Sequence, residues 1–321
     1  MNYTKTTGKI PSSNRADKIA YYVYKPNCTP KALIQITHGM CEYAERYEDF
    51  IDCLCKEGYA VIIHDHIGHG NSVSSESDLG YFAVSKGWIY LINDLHRVSE
   101  TGRKIFGGLP HYIIGHSMGS LVLRCYLAKF SSEIDGAVIM GTVGNLSGLM
   151  PFAKAMADSE ITFHGVKSRS KKLNNIMFGM ANMRIKNPRS KFDWISRDEK
   201  VVEKYEADSK CNFVFTASAF RDLFTLLEYC SDPSWYGKIR RDLPIFLMSG
   251  SEDFVGQYGR GPMHIFTKLV SRGFSDTEIK LYDGCRHELL NELSRSEVYG
   301  DIVHWLDVRV DRKALGCGDK S

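Results

Sequence analysis

Residues 110–130 read PHYIIGHSMGSLVLRCYLAKF. The first part, PHYIIG, is a near-continuous apolar run of the kind that forms a strand covered on both faces. The last part, SLVLRCYLAKF, carries Leu121, Val122 and Tyr126 at helical spacing. Between them GHSMG (115–119) fits G-x-S-x-G, in which a tight strand-to-helix turn exposes a serine oxygen. Glycines flank the serine because such a turn leaves no room for Cβ atoms.

Outward from this point, apolar runs alternate with helical patterns. KALIQIT (31–37), GYAVIIHD (58–65), IDGAVIM (134–140), LPIFLMSG (243–250) and TEIKLYD (277–283) read as further buried strands. Helices are expected around Tyr47 to Leu54 with Gly58 as the stop, around Trp88 to Val98, and over SRSEVYGDIVHWLDVRV near the C-terminus. KIAYYVYKP (18–26) is the clearest of one or two antiparallel edge strands in residues 1–30. The alternation predicts an α/β fold with a doubly wound, mostly parallel sheet. It breaks between Thr142 and Arg241, where no strong strand pattern occurs. Residues 1–141 and 242–311 are therefore read as the core, 142–241 as an inserted helical cap, and 312–321 as a flexible tail.

An elbow serine needs an acid, a base and an oxyanion hole, and the fold dictates the chain order serine, acid, histidine. Asp253 follows LPIFLMSG and His287 follows TEIKLYDGC, which assigns Ser117 as nucleophile, Asp253 as acid and His287 as base. Glu252 and Asp283 are the fallback acids. ITHGM (36–40) ends the first central strand, so the backbone N–H groups of Met40 and Met118 are expected to form the oxyanion hole. His38 is read as shaping that loop.

These residues resemble the monoacylglycerol lipase and lysophospholipase-like branch of the α/β-hydrolases. The resemblance rests on HGMCEYAERY (38–47), HDHIGHGNS (64–72), GHSMGS (115–120), SGSEDFVG (249–256) and LYDGCRHELLNE (281–292), in the family's order. It implies an α/β-hydrolase fold, a small ester or monoacyl lipid as substrate, an acyl-enzyme on Ser117, and Glu42 and Arg46 as supports of the oxyanion turn. Cys41 and Tyr43 stand where relatives usually carry Gly and His in HGxGEH, and Ser120 where a Gly commonly follows the elbow. Acyl transfer and peptide cleavage can use the same triad, and a hydrolase-fold binding module would lack one of its members.

His64, His66 and His69 suggest a metal-dependent alternative, but the third lacks the preceding Asp of binuclear zinc hydrolases, so neither metal nor cofactor is expected. The net charge of +3 argues against a nucleic acid partner. Nine cysteines without a pairing pattern, and an N-terminus without an apolar leader, suggest free thiols and a cytoplasmic protein. Residues 160–200 hold ten Lys or Arg against four Asp or Glu, a balance that could bring the cap to an anionic lipid surface. The cap's Met177, Phe178 and Met180 are the expected substrate contacts. Cys41 and Cys285 are expected to confer sensitivity to thiol reagents.

Overall fold

The computed structural model describes residues 2–318, and side chains as far as Lys313. Its strands are β1 (Tyr3–Pro11), β2 (Lys18–Pro26), β3 (Leu33–Thr37), β4 (Ala60–His64), β5 (His111–His116), β6 (Gly136–Met140), β7 (Ile245–Gly250) and β8 (Thr277–Tyr282). They form one sheet in the order β1-β2-β4-β3-β5-β6-β7-β8. β1 and β2 pair antiparallel, as do β2 and β4; every other pairing is parallel. β3, β4, β5, β6 and β7 are buried along their whole length, which explains their near-continuous apolar sequences.

Because side chains alternate across a strand, the sheet separates two cores. Leu33, Ile62, Ile113, Ile139 and Leu247 face one way, toward α2 (Gly87–Ile105), α3 (Met118–Phe130) and α8 (Arg260–Ser271). Ile34, Ile63, Ile114, Val138 and Met248 face the other way, toward α1 (Glu48–Lys56) and α9 (Arg295–Gly318). The chain leaves β3 toward β4 on one side and reaches β5 on the other. The carboxyl ends of β3 and β5 thus form the switch point where open α/β sheets bind ligands.

Residues 312–318, expected as a tail, continue α9 as helix. Lys313 reaches Asp135 at 2.5 Å and Arg312 reaches Asp276 at 3.5 Å, so charge pairs hold that turn against the body. Residues 319–321 lie outside the described residues. Among the described residues no helix is long and apolar enough to cross a membrane.

Between β6 and β7 the chain forms α4 (Met150–His164), α5 (Lys171–Phe178), α6 (Glu199–Ala207) and α7 (Ala217–Ser231). Ser170, Asp198 and Thr216 cap the last three, each side chain accepting a backbone N–H of the first turn. α7 is not peripheral: Phe220, Leu223, Phe224 and Leu227 share one apolar cluster with α2 and α3. Arg124, buried on α3, ties this segment down. It donates to the carbonyls of Val143 (3.0 Å) and Cys230 (2.6 Å), and its guanidinium lies over the Trp235 ring. Its own carbonyl accepts Trp235 Nε1–H at 2.6 Å. Arg124→Met should therefore cost about 3 kcal/mol in urea unfolding, because two buried carbonyls lose their donors. A loss below about 1 kcal/mol would show that apolar contact alone holds the insertion.

Candidate active site

The turn after β5 places Ser117 at φ 52, ψ −120. That left-handed φ is strained for a residue with a side chain and lifts the serine oxygen out of the turn. A Cβ on Gly119 would collide with the carbonyl oxygens of Thr37 and His38, and one on Gly115 would lie 2.7 Å from the Gly119 carbonyl. Both motif glycines are thus required by close backbone approach. Ser117 Oγ lies 2.8 Å from His287 Nε2, and His287 Nδ1 lies 2.9 Å from Asp253 Oδ1. Asp253 sits on the turn after β7, and His287 on the loop after β8. Glu252 and Asp283 are exposed, and neither bonds to His287.

Asp253 is fully buried. Burial pushes its carboxyl up, but the charge and hydrogen bond of His287, with the backbone N–H of Gly256, outweigh it and hold the group below its usual range. Val255 N–H also donates to its Oδ1 at 2.9 Å. An ionised Asp253 can only accept, so the proton sits on His287 Nδ1 and leaves the Nε2 lone pair facing Ser117.

The turn after β3 meets the elbow, with Gly39 so close that a Cβ there would lie 3.0 Å from Ser117 Cβ. Gly39 N–H donates to Glu42 Oε2 at 2.6 Å and Cys41 N–H to His69 Nε2 at 3.3 Å. Met40 N–H, between them, has no acceptor among the described residues, and Met118 N–H begins α3. These two amides stay available to a ligand.

The histidines behind the turn are committed elsewhere. His38 accepts His66 N–H through Nε2 and donates from Nδ1 to Gly39 O. His66 uses both nitrogens, on Thr37 and His64, and His69 uses both, on Cys41 N–H and Ile67 O. Burial pushes His64 and His69 down to about 3 and lowers His38 and His66, so the cluster is neutral. Among the described residues no group of three potential ligands converges, and of the ring nitrogens of His64, His66 and His69 only His64 Nδ1 is without a partner.

A buried charge network underlies the site, joining Glu42 and Arg46, the expected supports of the turn, to His116 and Glu288, which the sequence did not single out. Glu42 accepts from Gly39 N–H, Tyr47 OH (2.8 Å) and Arg46 (2.7 Å), and pairs with His116 Nδ1 at 3.1 Å. Arg46 also grips Glu288 with two bonds, at 2.7 and 2.8 Å. His116 Nε2 faces the His287 carbonyl at 3.3 Å.

The cavity over Ser117, about 250 Å³, is walled by Met40, Cys41, Phe178, Phe192, Trp194, Tyr205, Phe213 and His287, with Asn174, Asn175 and Asn182 among them. Of the expected contacts only Phe178 lines it. Met180 is 59% exposed and Met177 packs against the core, because α5 turns inward Asn174, Asn175 and Phe178, the last lying four and three residues after the asparagines on the same face. Trp194 and Phe213 lie in no motif, and only their aromatic character hinted at a role.

Cys41 lines the cavity, but its thiol is buried and bonds to the Phe213 carbonyl at 3.3 Å, while Cys285 is buried outside it. Burial raises both thiols, Cys41 strongly, so thiolates are scarce and the expected sensitivity to thiol reagents loses its basis. The eight cysteines with described side chains are unpaired.

Residues 28–294 match the family described as serine aminopeptidase, S33. The chain belongs to this family of α/β-hydrolases. Human monoglyceride lipase is 26% identical over 307 residues, covering 93% of this chain and 88% of that protein. A monoacylglycerol lipase of Mycolicibacterium smegmatis is 27% identical over 299 residues, covering 90% and 92%. The crystal structure of a highly thermostable carboxyl esterase from Bacillus coagulans, in complex with glycerol, superposes with a TM-score of 0.89 at 26% identity. That match covers 96% of this chain and 99% of the esterase.

In this α/β-hydrolase the Glu42–His116 pair carries a pH signature. Burial would lower His116, but Glu42 outweighs it and raises the imidazole above its usual 6.5; Glu42 itself, despite burial, is pulled well below 4.5 by His116 and Arg46. The histidine's contribution is complete below 6.5 and is lost as pH rises through its raised value. The carboxylate's contribution is present above 4.5 and lost only as pH falls through its depressed value. Glu42→Gln should therefore destabilise most near pH ~6, and the gap to wild type should narrow toward pH ~9. Urea midpoints across that range test this; a gap independent of pH would mean that His116 is neutral in the folded protein.

Proposed function

We propose that this chain is a serine carboxylester hydrolase that works through an acyl-enzyme on Ser117. The observation that carries the reading is the continuous hydrogen-bonded chain from Ser117 through His287 to buried, ionised Asp253. Ser117 Oγ attacks the ester carbonyl while His287 Nε2 takes its proton. Asp253 holds the Nδ1 tautomer and stabilises the imidazolium. The amides of Met40 and Met118 receive the developing oxyanion. His287 then passes its proton to the departing alcohol. In the second half-reaction it activates water, which releases the acid and restores Ser117.

The same atoms could open an amide, and the family description names an aminopeptidase. An aminopeptidase must hold a substrate ammonium, for which a carboxylate in the cavity is the natural partner. The acids of the cavity wall are Glu42 and Glu288, and Arg46 pairs with both. The named lipases and the carboxyl esterase point the same way, toward a small ester or monoacyl lipid. Exposed Phe152, Phe163 and Met183, beside a basic stretch of the insertion, support transient contact with a lipid surface.

Ser117→Ala should lower kcat on p-nitrophenyl butyrate by about six orders of magnitude, His287→Ala nearly as much, and Asp253→Ala less. Alanine p-nitroanilide should be turned over far more slowly than the ester. More than a few per cent of wild-type ester activity in Ser117→Ala, or a preference for the anilide, would sink the proposal.

A further inference from the structure

The insertion does not hang over Ser117 as a free lid. One stretch of it, residues 193–197, is bolted to the loop that carries His287. His287 N–H donates to the Trp194 carbonyl (3.4 Å) and Glu288 N–H to the Ile195 carbonyl (2.7 Å). Arg286 donates to the carbonyls of Asp193 (2.7 Å) and Ser196 (2.9 Å). Arg197 pairs with fully buried Glu292 at 2.9 Å. On its other side Trp194 N–H donates to Asn182 Oδ1 at 2.9 Å. The indole is held with its centroid 5.1 Å from the His287 ring, and Phe178 stacks on it at 5.4 Å and 17°.

A wall fixed in this way fixes the room beside Ser117. The Trp194 backbone cannot move outward without pulling on the loop that positions His287, and its indole is flanked by the rings of Phe178 and His287. A cavity of 150 Å³ accepts a six-carbon ring. In proportion, the 250 Å³ here accepts about ten heavy atoms, below the usual range for ligand pockets. A monoacylglycerol with a long acyl chain has more than twice that number. Beside Asn182, whose side-chain amide is spent on Trp194 N–H and the Ser190 carbonyl, the wall includes the side-chain amides of Asn174 and Asn175, which have no partner among the described residues. A long alkyl chain laid over them would strip their water and return no hydrogen bond.

We propose that Trp194, backed by Phe178, is the specificity-determining residue of this site, and that it restricts the enzyme to esters of compact acids. Acyl groups of about four to six carbons, or a single aromatic ring, fill the space; chains of ten or more do not. The inference rests on the ester-hydrolase reading and narrows it.

The test is kcat/KM for methyl esters from acetate to laurate and for methyl phenylacetate, by pH-stat titration of the released acid. The methyl leaving group keeps the alcohol side small and constant. Wild type should gain up to about fourfold per methylene until the space is filled, between butyrate and hexanoate, and then fall steeply. Methyl phenylacetate should rank with the best of the series. In Trp194→Ala and in Phe178→Ala the ratio of decanoate to butyrate should rise by about tenfold or more, the worth of some two methylenes regained. A change in folding or in the triad alone would scale all esters together and leave this ratio unmoved. A wild-type optimum at decanoate or beyond would overturn the inference while leaving the ester reading intact, whether or not either variant folds. An unchanged ratio in a folded, active variant would overturn the role of its side chain. No turnover of any ester by folded wild type would remove the ester reading and this inference with it.

Discussion

Everything at the site depends on how closely the elbow approaches the end of β3. Gly119 lets the elbow lie against the carbonyls of Thr37 and His38, Gly115 lets the elbow close on itself, and Ser117 takes up the strain at φ 52. Met118 N–H begins the helix that follows this serine, and Met40 N–H lies on the turn that the elbow touches. The close approach explains why the β3 turn is so heavily tied: Gly39 and Cys41 spend their amides on Glu42 and His69, and Met40 alone keeps its donor. In the proposed mechanism, amides fixed in this way need no rearrangement when negative charge develops.

The next layer down is charged and almost dry. Glu42, Arg46, His116 and Glu288 join the β3 turn, the elbow and the His287 loop through one set of ion pairs. Such pairs gain little net stability over apolar packing, since desolvation offsets their attraction, but breaking one leaves a buried charge alone. Their value here is geometric. Three loops from separate strands must agree to within a fraction of an ångström for proton transfer, and charged hydrogen bonds are short and directional. Apolar contact would hold the loops together but would tolerate sliding.

This layering explains which parts were legible in sequence. Strands β3 to β7 were plain because burial on both faces writes a near-continuous apolar run. The elbow was plain because its glycines and serine are adjacent in the chain. Asp253 and His287 followed from the topology, which fixes where late strands end. The cavity wall was not legible, since which face of α5 turns inward depends on what α5 packs against. Met177 and Met180 have the right chemistry but the wrong azimuth, and Phe178 beside them has the right one. Trp194 owes its place to backbone bonds with a loop almost a hundred residues away. α7, read as cap, shares the core of α2 and α3. The histidines at 64, 66 and 69 resembled ligands only until their neighbours were known. Each of these misses concerns a partner distant in sequence.

Cys41 ties the β3 turn to the insertion. Relatives usually carry glycine at that position, and the backbone here still adopts the conformation that glycine favours, φ 55. A side chain there costs about 1 kcal/mol in strain. The thiol offsets part of that cost by bonding to the carbonyl of Phe213, a residue of the insertion that also lines the cavity. Where glycine would leave the oxyanion turn independent of the insertion, cysteine links the two. Trp194 makes the corresponding link on the histidine side. The serine is thereby held between two loops that are each fastened to the same inserted segment. Wide opening of the insertion would pull on both the β3 turn and the His287 loop, which in the proposed mechanism favours substrates small enough to enter without such opening.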